Sequence, residues 1–269
     1  MGDQLIIAGF HRSGTSATAQ LLHRAGLFLG DELLEANPSN PYGHFEDREV
    51  VDLHQKILAD NGLTWQVTEP FLPVVNREHW GRMREVVDCR NSEHGLWGFK
   101  DPRSCMFMML WKYLLPDSKT LIVYRHFSES THSLSRRHSY NLFTNKENRP
   151  IHQRFWEEPD LALRMWLAHN EALIMFAREY PEDTLTVSLD RIRDGLPIVR
   201  AINQRWRLRL RDLPISEVFD PALSGRRVRR QPVSDLRLIP EVESAWSSLE
   251  ELSKETESMF LEEAVVAGE

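Results

Sequence analysis

The chain has 269 residues, 41% of them hydrophobic and 27% charged, with a formal net charge of -7; one α/β domain over residues 1–269 with a substantial core is expected. The acidic balance argues against general nucleic-acid binding, and the longest apolar stretches, such as Cys105 to Trp111, are too short to cross a bilayer. Two cysteines, Cys89 and Cys105, supply neither a disulfide framework nor a metal quartet, and no charged leader with an apolar centre precedes the first strand, so a reduced, cytoplasmic protein is expected.

Gln4–Ala8 is an apolar run that predicts a buried strand. It leads into Gly9-Phe10-His11-Arg12-Ser13-Gly14-Thr15-Ser16, which keeps the G-x-x-x-x-G-x-[ST] frame of a Walker A loop. In that frame successive backbone N–H groups and a helix N-terminus converge on an anion, and a helix follows over about Gly14–Ala25. Thr15 stands where the nucleotide-binding Lys belongs, and the basic residue has moved back to Arg12. Without that Lys, hydrolysis of ATP or GTP is poorly supported.

The segment from Asn37 through Tyr42, Gly43, His44, Phe45 and Glu46 to Asp47 leads into a helix over about Arg48–Asp60, with Asp47 as its N-cap. A helix over about Glu78–Cys89 precedes the second strand, Leu96–Phe99. Lys100-Asp101-Pro102-Arg103 follows, where Pro102 favours a chain break and a helix start over about Arg103–Leu115. The third strand, Thr120–Tyr124, ends in Arg125 rather than in an acidic Mg²⁺ ligand. The next helix, about Ser128–Ser139, carries Ser133 about two turns in, where it and Arg125 could grip one phosphate together.

Leu142 to Glu158 is polar and reads as an irregular lid over an acceptor site, within a region of about residues 140–180 that also holds a helix over Asp160–Tyr180. Met165, Trp166, Leu173, Ile174 and Phe176 of that helix read as core, and Trp65, Trp80, Trp97 and Trp156 as core or as stacking platforms. The fourth strand is Thr184–Leu189 and a further helix is Ile198–Trp206. Arg205 to Arg211 alternates Trp206, Leu208 and Leu210 with four Arg and predicts a short half-buried strand with a charged outer face. Arg191 to Arg237 carries 12 Arg against 5 acids, whereas Pro240 to Glu269 carries 9 Glu and 1 Lys; the two blocks could pair with each other or the first could face an anion. The basic run Gly225 to Arg230 lies within the first block and reads as a solvated loop pairing with the acidic tail or as a face for an anion. Residues 240–269 place Val242, Trp246, Leu249 and Leu252 at helical spacing, an amphipathic helix frayed after about Glu262.

Strands alternating with helices imply a central, mainly parallel sheet in a three-layer α/β/α fold. Ligands in such folds bind beyond the C-terminal ends of the strands, which points to the residues after Ala8, Phe99 and Tyr124. All three ends are basic: Arg12, Lys100 and Arg125.

Over most of the first 140 residues the chain resembles the sulfotransferases that use 3'-phosphoadenosine 5'-phosphosulfate (PAPS), a family with a P-loop-containing fold. HRSGTS is similar to the family's 5'-phosphosulfate loop, nearest in its R-S-G-T form to the tyrosylprotein and Golgi-type carbohydrate branches. The resemblance implies that His11, Arg12, Ser13, Gly14, Thr15 and Ser16 hold the donor. YRHFSESTHS resembles the 3'-phosphate motif, implying that Arg125 and Ser133 hold the 3'-phosphate. KDP resembles the tyrosylprotein branch at a transition-state lysine, here Lys100. Beyond about residue 140 no acceptor-defining pattern is recognised.

Sulfuryl transfer as an in-line displacement builds charge on the leaving phosphate oxygen, which loop N–H groups, Arg12 and Lys100 would stabilise. A base must also take the acceptor's proton. Glu46 resembles the base Glu of the carbohydrate and tyrosylprotein branches, with His44 second and Asp101 third; a carboxylate favoured by the helix dipole is the plain alternative for Glu46. None of the 11 His makes an H-E-x-x-H or a Cys/His ligand spacing, so no metal is expected. His126, His132 and His138 read as solvated or supporting groups. The expectation is metal-independent sulfuryl transfer from PAPS to a hydroxyl of a small molecule or glycan, leaving 3',5'-ADP, with no nucleic-acid partner and no membrane span. The rivals are a small-molecule or nucleotide kinase with a degenerate loop and a non-catalytic nucleotide-binding protein of the same fold. The sequence leaves the oligomeric state open.

Overall fold

A computed structural model describes residues 2–35, 43–144, 148–219 and 233–266, with side chains up to residue 258. The segments 36–42 and 220–232, and with them part of the loop before Asp47 and the basic run Gly225 to Arg230, lie outside the described residues.

Four strands, β1 (Asp3–Ala8), β2 (Leu96–Lys100), β3 (Lys119–Tyr124) and β4 (Thr184–Ser188), form one all-parallel sheet in the order β2-β1-β3-β4. Each is apolar on both faces because helices cover both faces. The register pairs Ile6 with Phe99 on one side and with Thr120 on the other. The side-chain period of two divides the strands cleanly. Ile6, Ala8, Trp97, Phe99 and Ile122 point into one apolar cluster, while Leu5, Ile7, Leu121, Val123, Leu185 and Val187 point into another.

The first cluster is completed by α2 (Arg48–Asp60), α3 (Arg77–Glu93), α4 (Met108–Leu114) and α7 (Leu161–Glu179), and the second by α1 (Thr15–Arg24), α8 (Leu189–Arg193) and α9 (Ile198–Trp206). A third cluster joins Phe10 and Tyr124 to α5 (Phe127–Phe143), α6 (Arg149–Glu157), α7 and α10 (Leu238–Val266). This is a three-layer α/β/α arrangement. The predicted core residues of α7 (Met165, Trp166, Leu173, Ile174 and Phe176) are all buried. No helix among the described residues is long and apolar enough to cross a membrane.

Both sheet edges are covered. Gly98 N–H donates to Phe28 O at 2.9 Å beside β2. On β4, Thr186 N–H donates to Thr256 Oγ1 of α10 at 3.0 Å, so the C-terminal helix covers the outer strand, while its Val242, Ala245 and Leu249 pack in the third cluster with Tyr124 and α7. Burying an unpaired strand N–H would otherwise cost a lost hydrogen bond.

Three expectations are corrected. Arg103–Leu115 is not one helix but a 3₁₀ turn, Pro102–Met106, followed by α4, because Asp101 caps the turn and Phe107 N–H closes back on Ser104 O at 2.8 Å. Arg205 to Arg211 is not a strand: α9 ends on Arg207 in the left-handed region (φ 56°), and the following backbone bonds to Asn203 and Ala25 rather than to a ladder. Its alternation still holds, with Leu208 and Leu210 buried. Leu142 to Glu158 is largely helical: α5 runs to Phe143, and α6 buries His152 and Phe155 against α5 and α7.

Candidate functional site

The chain leaves β1 toward β2 on one side, then crosses back over β1 to β3. The connections therefore diverge between the C-terminal ends of β1 and β3, which is where open α/β sheets bind ligands. The loop 9–14 and Arg125 occupy that gap. A Cβ on Gly9 would stand 2.2 Å from Val123 O, so only glycine lets the loop leave the sheet this close to β3. Gly14 caps α1 at φ 91°, and a side chain there would also meet Leu189 at 2.3 Å. Between them Arg12 is itself left-handed, at φ 65°. Non-glycine residues in that region are uncommon and store strain. The first turn of α1 has no side-chain cap and no acid, and Ser13 Oγ is buried without a hydrogen-bond partner among the described residues. An uncapped helix start beside a left-handed turn and an orphaned hydroxyl is an anion cradle in form.

Cations surround it. Arg12 Nε donates to Ser133 Oγ at 3.0 Å, while Arg125 donates from one terminal nitrogen to Arg12 O at 3.4 Å and from Nε to Glu129 Oε2 at 2.8 Å. Arg125 and Ser133 thus both contact Arg12. Arg137, one turn beyond Ser133 on the same face of α5, brings a further guanidinium whose Nε is buried without a hydrogen-bond partner among the described residues. Burial and the neighbouring Arg137, Arg125 and Arg136 push Arg12 down to about 10, and burial lowers Arg137 against the pull of Glu46. Crowded, desolvated guanidinium groups are a site short of negative charge. The sequence reading missed Arg137, although its four-residue spacing from Ser133 was a usable signal.

At the end of β2, Lys100 is fully buried, and its Nζ donates to Glu46 Oε1 at 2.7 Å and to Ser16 Oγ at 3.2 Å. Glu46 is placed there by the chain just before α2, where Leu34 N–H donates to Glu46 O at 2.8 Å and Asp47 caps the helix by accepting from Glu49 N–H. His44 Nδ1 lies 3.9 Å from the same Glu46 oxygen. Burial, and then Lys100, Arg137, Arg12 and Arg103, push His44 down to about 3, so its ring is neutral at physiological pH. Arg103 NH1 lies 3.8 Å from Glu46 Oε2, a second missed cation.

Asp101 is turned inward. Its Oδ1 accepts from Arg103 N–H at 3.1 Å and from Arg103 NH1 at 2.7 Å, and its Oδ2 is 2.7 Å from His54 Nδ1. Protein donors hold both oxygens, which leaves Glu46 and His44 as the bases that face the cations. His11 packs its ring 4.8 Å from Trp65 and 6.0 Å from His169, and burial lowers it well below the ordinary imidazole value. His138 is not solvated but buried, stacked on Phe155 and bonded to His152 at 2.8 Å. Of the four tryptophans considered as stacking platforms, Trp97 is core, Trp80 and Trp65 are half-buried and Trp156 is exposed.

The structure thus brings together at the C-terminal ends of the strands His11, Arg12, Ser13, Gly14, Thr15 and Ser16 of the loop with Arg125, Ser133, Lys100, Glu46 and His44. Thr15 is buried at the start of α1 and offers no charge in place of the Walker lysine. Among the described residues, no three His, Cys, Asp or Glu side chains are grouped to hold a metal ion. No family model and no curated protein matches the chain.

Proposed function

We propose that this protein is a PAPS-dependent sulfotransferase acting on a hydroxyl of a small molecule or carbohydrate. The observation that carries the reading is the meeting of Arg12, Arg125 and Ser133 on one side of the loop and Lys100 with Glu46 on the other. Two anion-binding subsites then flank a carboxylate. PAPS carries the sulfuryl group to be transferred; the chain's own residues supply charge and a proton acceptor. The loop N–H groups, Arg12 and Lys100 bind the 5'-phosphosulfate and stabilise the charge that grows on the leaving phosphate oxygen as its bond to sulfur breaks. Arg125 and Ser133 hold the 3'-phosphate. Glu46 takes the proton of the acceptor hydroxyl as its oxygen bonds to sulfur. Cys89 and Cys105 are both free thiols, which fits a reducing cytoplasmic setting and a small acceptor.

A thermal-shift comparison tests the donor. At about a hundredfold excess over Kd, 3',5'-ADP without Mg²⁺ should add about 2.7 kcal/mol of stability. A larger shift with ATP and Mg²⁺ would assign the site to a kinase instead. Glu46→Gln should abolish turnover while 3',5'-ADP binding survives; near-normal turnover in that variant would move the base to His44.

A further inference from the structure

Behind the charged edge runs a buried chain of hydrogen bonds that the reaction above does not use. Trp111 of α4 donates its indole N–H to His54 Nε2 at 2.8 Å, and His54 Nδ1 is 2.7 Å from Asp101 Oδ2. An indole N–H only donates. His54 Nε2 must therefore accept, its proton sits on Nδ1, and the ring donates to Asp101. Both side chains are 0% exposed, and the ring is stacked on Phe107 with centroids 4.7 Å apart. Burial alone would raise the Asp101 carboxyl, but Arg103 and the His54 hydrogen bond outweigh it and hold it well below the usual carboxylate range.

We propose that Trp111, His54 and Asp101 form a positioning relay that fixes the Arg103 guanidinium beside Glu46, so that Lys100 holds one carboxylate oxygen while the other, 3.8 Å from Arg103, is left to accept a proton. The proposal rests on the sulfotransferase reading only in naming Glu46 as the base.

Three features argue for it. A buried, ionised carboxylate is costly, and apolar packing would serve stability at least as well; a fixed direction for Arg103 is what the carboxylate adds. Oδ1 of Asp101 holds Arg103 NH1 at 2.7 Å, and the planar guanidinium then has little freedom. That same NH1 lies 3.8 Å from Glu46 Oε2, while Lys100 holds Glu46 Oε1 at 2.7 Å. Finally, the two contacts between the α2 region and the end of β2 are in series. Glu46 meets Lys100 at the start of α2, and His54, farther along α2, meets Asp101, the residue after Lys100. A shift of α2 along the sheet would break both at once.

His54→Asn and His54→Gln separate the relay from mere packing. Asn can return a donor near the place of Nδ1, whereas Gln can return only a partner for Trp111. With PAPS as donor and p-nitrophenol as acceptor, His54→Gln and Asp101→Asn should lose about a hundredfold in kcat, the scale of a displaced reacting group. KM for PAPS and Kd for 3',5'-ADP should stay within about threefold, and His54→Asn should recover most of the loss. Unchanged kcat in His54→Gln, or loss of 3',5'-ADP binding in step with kcat, would overturn the proposal. Should the His54 variants fail to fold, Arg103→Lys keeps the charge without the fork; wild-type kcat there would overturn it equally. A ¹⁵N-histidine spectrum of the wild type reads the relay without any turnover. It should show His54 protonated on Nδ1, and an Nε2–H tautomer would overturn the relay. Failure of the wild type to bind 3',5'-ADP would sink the sulfotransferase reading instead, leaving that spectrum to decide the relay.

Discussion

The two ends of the parallel sheet treat charge in opposite ways. At the end where the strands begin, Asp183 accepts from Lys112 at 2.7 Å and also from Lys119, and Lys112 donates further to Ser118 O at 2.9 Å. The carboxylate lies between its partners, and although burial would raise it, the two lysines lower it. At the end where the strands finish, Arg12, Arg125, Arg137, Lys100 and Arg103 face Glu46, Glu129 and Asp101, and burial with mutual repulsion depresses Arg12. Among these named residues five cations face three carboxylates, in a chain whose net charge is -7. One end is closed by its own ion pairs; the other, on the function proposed above, is completed by an anion.

The largest effect that would break this comparison is on ligand affinity. Arg125→Ala should weaken 3',5'-ADP binding about a hundredfold, the scale of deleting one partner of a desolvated charge pair. Binding of 5'-AMP, which lacks the 3'-phosphate, should change by no more than about threefold. Lys119→Met, at the opposite end, should alter neither. Titration calorimetry showing equal loss for both ligands in Arg125→Ala would remove the 3'-phosphate from its assignment.

A second contrast is in acid sensitivity. Burial, first of all, pushes His44 and His138 down to about 3 and His169 down to about 4. Their unfolded values lie near 6.5, so below that pH the unfolded chain binds protons that the folded chain refuses. Stability falls as pH drops from about 6.5 toward about 4, by up to about 1.4 kcal/mol per pH unit for each such histidine. Urea unfolding at pH 7 and pH 5.5 measures the slope, and His169→Asn should remove one histidine's share. A profile flat between those values would mean that the rings are already charged in the fold.

Much of this was legible in the sequence. All four strands fell within a residue or two of their expected bounds, because strands buried on both faces leave unbroken apolar runs such as Leu5 to Ala8. The loop, the basic strand ends and the Asp47 cap were equally visible, since each depends on neighbours in the chain. What failed depended on distant ones. The alternation at Arg205 to Arg211 suited a strand, but Arg207 in a left-handed turn and the Asn203 side chain gave that backbone other partners. Asp101 read as a base because no local signal reveals that His54, many residues earlier, and Arg103 occupy both its oxygens. Arg137 and Arg103 were passed over because arginine is common on surfaces, and only the packing of α5 and the turn at Pro102 direct them inward.

The smallest effect is at the closed end. Asp183→Asn removes the carboxylate between Lys112 and Lys119 and should cost about 1 kcal/mol at pH 7, the net worth of a partly exposed charge-assisted pair. Because the folded Asp183 is lowered from its ordinary value, its contribution is complete above about pH 4 and is lost as pH falls below that. Wild type and variant should therefore differ at pH 7 and converge toward pH 3 in urea unfolding. Affinity for 3',5'-ADP should be the same in both, since no charge at the finishing ends of the strands has changed. A variant that lost ligand affinity along with stability would show that the two ends of the sheet are coupled, and the division between a closed and an open end would not hold.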